Sequence, residues 1–129
     1  MLLVGEDDSL TKEAEVALRL KGYEVLRARG KPEILSSLSQ QSPDLIILRS
    51  DAPAAVDPWE ACGLIREESN VLLLVIVAEK EHGDMLKALR LGADDCIVQP
   101  VPLMVLLARI DALLRRVKRQ RSEGGPSHQ

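Results

Sequence analysis

Apolar runs alternate along this chain with stretches in which apolar residues recur every three or four positions. Leu2–Val4 predicts a short buried strand. Asp8 or Ser9 caps a helix whose buried stripe is Leu10, Ala14, Ala17 and Leu18, and Gly22 ends it. Tyr23–Leu26 predicts the second strand. Pro32 stands in a first helical turn, where its missing N–H is no loss, and Ile34, Leu35 and Leu38 follow on one face. Leu45–Leu48, four apolar residues without alternation, predicts a third strand, and Trp59–Arg66 a helix. Val71–Val77 is apolar throughout, the pattern of a strand buried on both faces. Asp84–Leu91 predicts a helix with Leu86, Leu89 and Arg90 on the helical period, stopped by Gly92. Cys96–Val98 predicts a fifth strand. Leu103–Val117 predicts the longest helix, with Leu106, Leu107, Ile110, Leu113, Leu114 and Val117 as its inner stripe. Five βα units in regular alternation predict an α/β fold: a doubly wound parallel sheet with helices on both faces.

The length of 129 residues suits one domain, and a hydrophobic fraction of 46% supports a real core. With 17 basic residues against 20 acidic ones, the net charge of −3 excludes a chain that is basic throughout, such as a histone-like coat for DNA. The apolar runs Val71–Ala78 and Leu103–Ala108 are too short to span a membrane. The start, MLLVGEDDS, lacks the basic region of a signal peptide. Cys62 and Cys96 form no CxxC pair and no Cys/His cluster, which argues against a disulfide scaffold or a zinc site. These features place the chain in the cytoplasm. Phe is absent, and Trp59 and Tyr23 are the only aromatics, so the core must be aliphatic and a base-stacking platform has almost nothing to be built from.

The modest net charge hides an asymmetry. Arg115, Arg116, Lys118, Arg119 and Arg121 cluster near the C-terminus, leaving the rest at net −8, with 12 basic residues against 20 acidic. Residues 1–118 read as the folded domain and 119–129 as a basic and polar disordered tail or linker, rich in Gly and Pro at its end.

In such a sheet, ligands bind beyond the carboxyl ends of the strands. Glu6, Asp7 and Asp8 follow the first strand, Arg49, Ser50 and Asp51 the third, Ala78 and Glu79 the fourth, and Gln99 and Pro100 the fifth. Two adjacent carboxylates can hold a hard cation such as Mg²⁺. Acids are also common at helix starts, where the macrodipole favours them, and from this cluster alone that reading leads. No Gly-rich phosphate loop, nucleophile elbow or catalytic triad is present.

With these residues in place the chain resembles the receiver domains of response regulators, with their CheY-like, flavodoxin-like (βα)5 fold, from Leu2 to about Lys118. LLVGEDDS resembles the family's first strand and acidic pair, GYEV and PDLIIL its second and third strands, and LRLGADDCIVQP its fourth helix, fifth strand and following proline. LLARIDALLRR resembles the last helix of the winged-helix transcription-factor class. The resemblance implies that Glu6 and Asp7 are the acidic pair. It also implies that the phosphoacceptor position is Arg49, the switch Thr/Ser position Val77, the switch aromatic Cys96 and the site lysine Gln99. Pro53 supports that register. Several parts of the phosphorylation switch are therefore replaced together, and the chain resembles a degenerate pseudo-receiver.

The chemistry agrees. Phosphoryl transfer to a side chain needs a carboxylate nucleophile, a divalent cation and positive charge on the phosphoryl group. A guanidinium is permanently protonated and cannot be the nucleophile. Arg49 is expected instead to pair with Glu6 and Asp7, placing a built-in cation where the family holds Mg²⁺, so no cofactor is expected and Mg²⁺ binds weakly at Glu6 and Asp7 if at all. Asp51, two residues on, is the one candidate for a displaced acceptor, against an ordinary turn aspartate. Glu79 reads as a solvated acid, and Cys62 and Cys96 as small core residues. The proline at Pro100 implies a cis Gln99–Pro100 bond, as in the family.

Met104 and Val105 make the start of the last helix apolar all round, where the family is polar, and so predict a covered or exposed patch. The family binds partners through its fourth helix, fifth strand and last helix. Lys87, Asp94, Asp95, Arg109 and Arg116 are expected as rim charges there, with Asp94 or Asp95 pairing Arg109 or Arg116 across a two-fold axis. The expectation is a phosphorylation-independent, non-enzymatic signalling module, the regulatory half of a transcription regulator or a stand-alone adaptor, acting as a homodimer. The alternatives are a receiver phosphorylated at Asp51, and nonspecific nucleic-acid contact through the basic tail.

Overall fold

The computed structural model describes residues 1–5, 8–50, 57–78 and 82–123, with the backbone alone for 82 and 117–123. In chain order the elements are β1 (Leu2–Val4), α1 (Ser9–Leu20), β2 (Leu26–Ala28), α2 (Lys31–Gln40), β3 (Leu45–Arg49), α3 (Pro58–Glu68), β4 (Leu72–Val77), α4 (His82–Arg90), β5 (Asp95–Val98) and α5 (Leu103–Glu123). The five strands are parallel in the order β2-β1-β3-β4-β5.

The unbroken apolar runs of β3 and β4 serve two cores at once, because successive side chains point to opposite faces of a strand. Ile46, Leu48, Leu73, Val75 and Val77 meet Ile34 of α2, Ala61, Cys62 and Ile65 of α3, and Ala88 of α4. Leu45, Ile47, Leu74 and Ile76 meet Ala14 and Leu18 of α1 and Leu106, Ile110 and Leu113 of α5. The chain leaves β1 toward β2 on one side and continues from β3 to β5 on the other. The order reverses between β1 and β3, which brings Gly5 and Arg49 together at the carboxyl edge.

Local signals set the helix starts. The Asp8 carboxylate accepts the Thr11 N–H at 2.9 Å, and Asp57 accepts the Trp59 N–H at 2.9 Å. Several expectations need correction. The second strand is Leu26–Ala28, not Tyr23–Leu26, because its one partner, β1, offers a ladder only from Leu2 to Val4, where it pairs Leu26 to Ala28. On α2, Ile34 and Ser37 face the core while Leu35, one step around the helix, is exposed. On α4 the sheet takes the small Ala88, and the periodic residues Leu86 and Leu89 are left outside. The last helix does not end near Val117. It runs to Glu123, so residues 119–123, expected as disordered tail, are helical: Lys118–Arg121 are good helix formers and the first glycine comes only after Glu123.

Ser37 is buried and its hydroxyl finds no hydrogen-bond partner among the described residues. Ser37→Ala removes that desolvated group and adds helix propensity, and is expected to raise stability by about 0.5 to 1 kcal/mol, read as a later urea midpoint with unchanged slope.

Candidate functional site

Arg49 is the last residue of β3 and is buried despite its charge, at 8% exposure. Its aliphatic stem lies along Gly5 at the end of β1. Its Nη1 donates to Asp8 Oδ2 and, at 3.3 Å, to the Thr11 hydroxyl. One guanidinium thus joins the end of β3 to the cap and first turn of α1. Thr11 lies on the buried stripe with Ala14 and Leu18, where a hydroxyl needs a partner, and Arg49 supplies it. A small cavity of about 10 Å³ lies beside them, lined by Leu10, Ala14, Ile47, Ile76 and Leu106.

Burial alone would push the Asp8 carboxyl up. The Thr11 N–H and hydroxyl and the Arg49 guanidinium outweigh it and hold the group below its ordinary value. The sequence points to Asp8 as a helix cap. Its second role as partner of Arg49 is readable only as a weak signal, the polar Thr11 in an apolar stripe three residues on. The expected partners of Arg49, Glu6 and Asp7, lie outside the described residues, as do Asp51, Pro53 and Glu79. Among the described residues no group of three or more His, Cys, Asp or Glu stands close enough to hold a metal ion.

The other positions that the resemblance assigns to the switch fall around the same strand ends. Val77 is 1% exposed in the core against α2–α4, and its carbonyl accepts the Gln99 N–H at 2.9 Å. The Gln99–Pro100 peptide is cis. Ser50 N–H donates to the Ile76 carbonyl at 2.8 Å and its hydroxyl accepts the Ala78 N–H at 3.3 Å, closing the backbone after β3 and β4. Cys96 and Cys62 are buried in the same core, and burial pushes both thiols up to about 11.

The second candidate region is the β5 edge, flanked by α4 on one face of the sheet and α5 on the other. Met104 is 76% exposed and Val105 42%. Leu86, Leu89, Met85 and Val98 are exposed beside them, residues that periodicity alone would have buried or ignored. Four of the five charges expected at its rim, Lys87, Asp94, Asp95 and Arg109, make contacts within the chain. Lys87 Nζ sits 4.9 Å from the centre of the Trp59 ring. Asp94 accepts the Arg66 guanidinium and the Leu73 N–H, both at 2.9 Å. Arg109 Nη1 donates to both oxygens of Asp95 at 3.0 Å. Arg116 is exposed. Among the described residues no helix is long and apolar enough to cross a membrane.

Comparison with known proteins agrees with this architecture. The model of the response regulator receiver domain matches residues 1–111. The chain is 35% identical over 123 residues to the transcriptional regulatory protein AfsQ1 of Streptomyces coelicolor, covering 95% of this chain and 54% of that protein. It is 33% identical over 123 residues to the sensory transduction protein BceR of Bacillus subtilis, covering 95% and 53%. The chain spans about half the length of the curated relatives it matches. Among solved structures, a two-component response regulator from Clostridium difficile superposes with a TM-score of 0.79 at 26% identity, covering 90% of this chain and 95% of that one. The receiver domain of NtrX from Brucella abortus shares the fold alone, with a TM-score of 0.80 at 19% identity, covering 88% and 97%.

Proposed function

Because the chain belongs to the response regulator receiver domain family, we propose that it is a receiver that signals without being phosphorylated. It regulates through protein–protein contact, as the regulatory domain of a transcription regulator or a stand-alone adaptor, and performs no catalysis. The observation that carries this reading is Arg49, a buried and ion-paired guanidinium at the end of β3. The resemblance assigns that position to the acceptor carboxylate. Arginine offers no nucleophile, and Val77 and Gln99 offer neither the hydroxyl nor the ammonium that would stabilise an acyl phosphate.

Among the described residues the donors also do not assemble a divalent-cation site. The guanidinium stands where a carboxylate would complete the ligand set, and the nearest described carboxylate, Asp8, is taken up by Arg49 and by the Thr11 N–H. The partner in this reading is a second copy, docked through α4, β5 and α5, whose exposed apolar side chains are available without any switching event.

Incubation with a small acyl-phosphate donor and Mg²⁺, followed by intact mass, tests the reading. The expected result is an unchanged mass. An added phosphoryl mass overturns it, and loss of that mass in Asp51→Asn would establish the displaced acceptor.

A further inference from the structure

We propose that the end of α5, positions 115–121, binds the phosphate backbone of duplex DNA without regard to base sequence. The inference goes beyond the reading above and does not rest on it, since neither Arg49 nor the exposed apolar side chains take part. Arg115, Arg116, Lys118, Arg119 and Arg121 stand within a stretch that holds no acid. The sequence divides this run between a helix and a tail, whereas the structure makes it one helix, continuous to Glu123. A helix rises about 1.5 Å per residue, so the five cations follow one another at about 1.8 Å along its axis. Duplex DNA carries about one negative charge per 1.7 Å of its own axis, a density that matches. An extended acidic peptide offers at most about one charge per 3.3 Å.

Arg115 and Arg116 are exposed and make no ion pair or hydrogen bond among the described residues. The nearest acid before them, Asp111, is held by Lys21 of α1 at 2.8 Å. The helix macrodipole favours cations only in the last turn, and Arg115 and Arg116 stand about two turns before Glu123. Arg115 with Lys118 and Arg119, Arg116 with Arg119, and Lys118 with Arg121 stand three or four positions apart, spacings at which like charges weaken a helix. A polyanion relieves that repulsion. Other polyanions fit less well. Insertion into a membrane surface needs an apolar face beside the cations, and the apolar stripe of α5, Leu106, Leu107, Ile110 and Leu113, is buried against the sheet. A single strand needs aromatics to stack on, and Trp59 carries Lys87 while Tyr23 packs against the core. The rest of the chain stands at net −8, which confines the contact to this helix end and repels a broad anionic plane.

Titration of fluorescently labelled duplexes of about 20 base pairs with the 129-residue chain, at about 25 to 150 mM NaCl, tests this. Two duplexes of unrelated sequence are expected to bind within about twofold of each other, and log K to fall with log salt at a slope of about −4. Arg115→Gln/Arg116→Gln, still folded by circular dichroism, should bring the slope to about −2 and weaken binding about tenfold or more at the lowest salt. Lys12→Gln, at an exposed position of α1, should change neither. No binding at about 25 mM NaCl, or a double variant that binds like the wild type, overturns the inference. So does binding of single strands, polyglutamate or phosphatidylserine vesicles as tightly as of the duplex.

Discussion

Arg66→Ala is expected to lower the stability of the domain by about 3 kcal/mol and its melting temperature by about 10 °C. Arg66 lies near the end of α3, and its guanidinium fork reaches two separate segments. Nε and Nη2 donate to the Gly92 carbonyl at 2.9 and 2.8 Å, and Nη1 donates to the Val71 carbonyl at 2.6 Å. Nη2 also pairs with Asp94 Oδ2 at 2.9 Å, and the same oxygen takes the Leu73 N–H. One side chain therefore ties the entry to β4 to the turn between α4 and β5. Gly92 is required by this arrangement: its φ is +105°, and a Cβ there would stand 2.9 Å from Arg66 Nε. Truncation leaves two part-buried carbonyls without donors and Asp94 without its cation. The ion pair itself is about a quarter exposed and adds the lesser share. Arg66→Lys should recover only part of the loss, since an ammonium cannot reproduce the fork. Urea unfolding measures both, and a loss under about 1 kcal/mol for Arg66→Ala would show that water replaces the guanidinium without penalty.

Arg49→Ala is expected to cost about 2 kcal/mol and to make the protein responsive to Mg²⁺. The variant loses the donor to Asp8 and leaves the Thr11 hydroxyl buried without it. It also empties a cation's place beside a run of three acidic residues, Glu6, Asp7 and Asp8. A cation that binds only the folded state stabilises it by mass action, so Mg²⁺ should raise the melting temperature of the variant and leave the wild type unchanged. The pH dependence should change with it. Because the Asp8 carboxyl is held low in the folded protein, its contribution is present above the ordinary carboxylate range and is lost as pH falls through the folded value. Without Arg49 one of the causes is gone, so stability should depend less steeply on pH in that acid window. Equal melting temperatures for variant and wild type, with no Mg²⁺ effect on either, would show the arginine to be idle.

The sequence by itself determined the succession of five strands and five helices, because each depends on local rules. Period-two and unbroken apolar runs make strands, a 3.6-residue period makes helices, and Asp8 and Gly22 punctuate the first of those helices. The assignment of Arg49, Val77 and Gln99 to the family's switch positions rests on the resemblance alone, since it comes from motif order and uses no distance. Tertiary structure alone decided which partners the charges take. Arg49 is 41 residues from Asp8, and Arg66 is 28 from Asp94, and no periodicity relates residues that far apart. It also decided which apolar stripes stay outside. Leu86 and Leu89 follow the helical period as faithfully as any core residue, yet a period shows only that a helix has an apolar face. Whether the sheet or another molecule covers that face depends on how the helix is rolled, and here the small Ala88 is the residue that fits against the sheet.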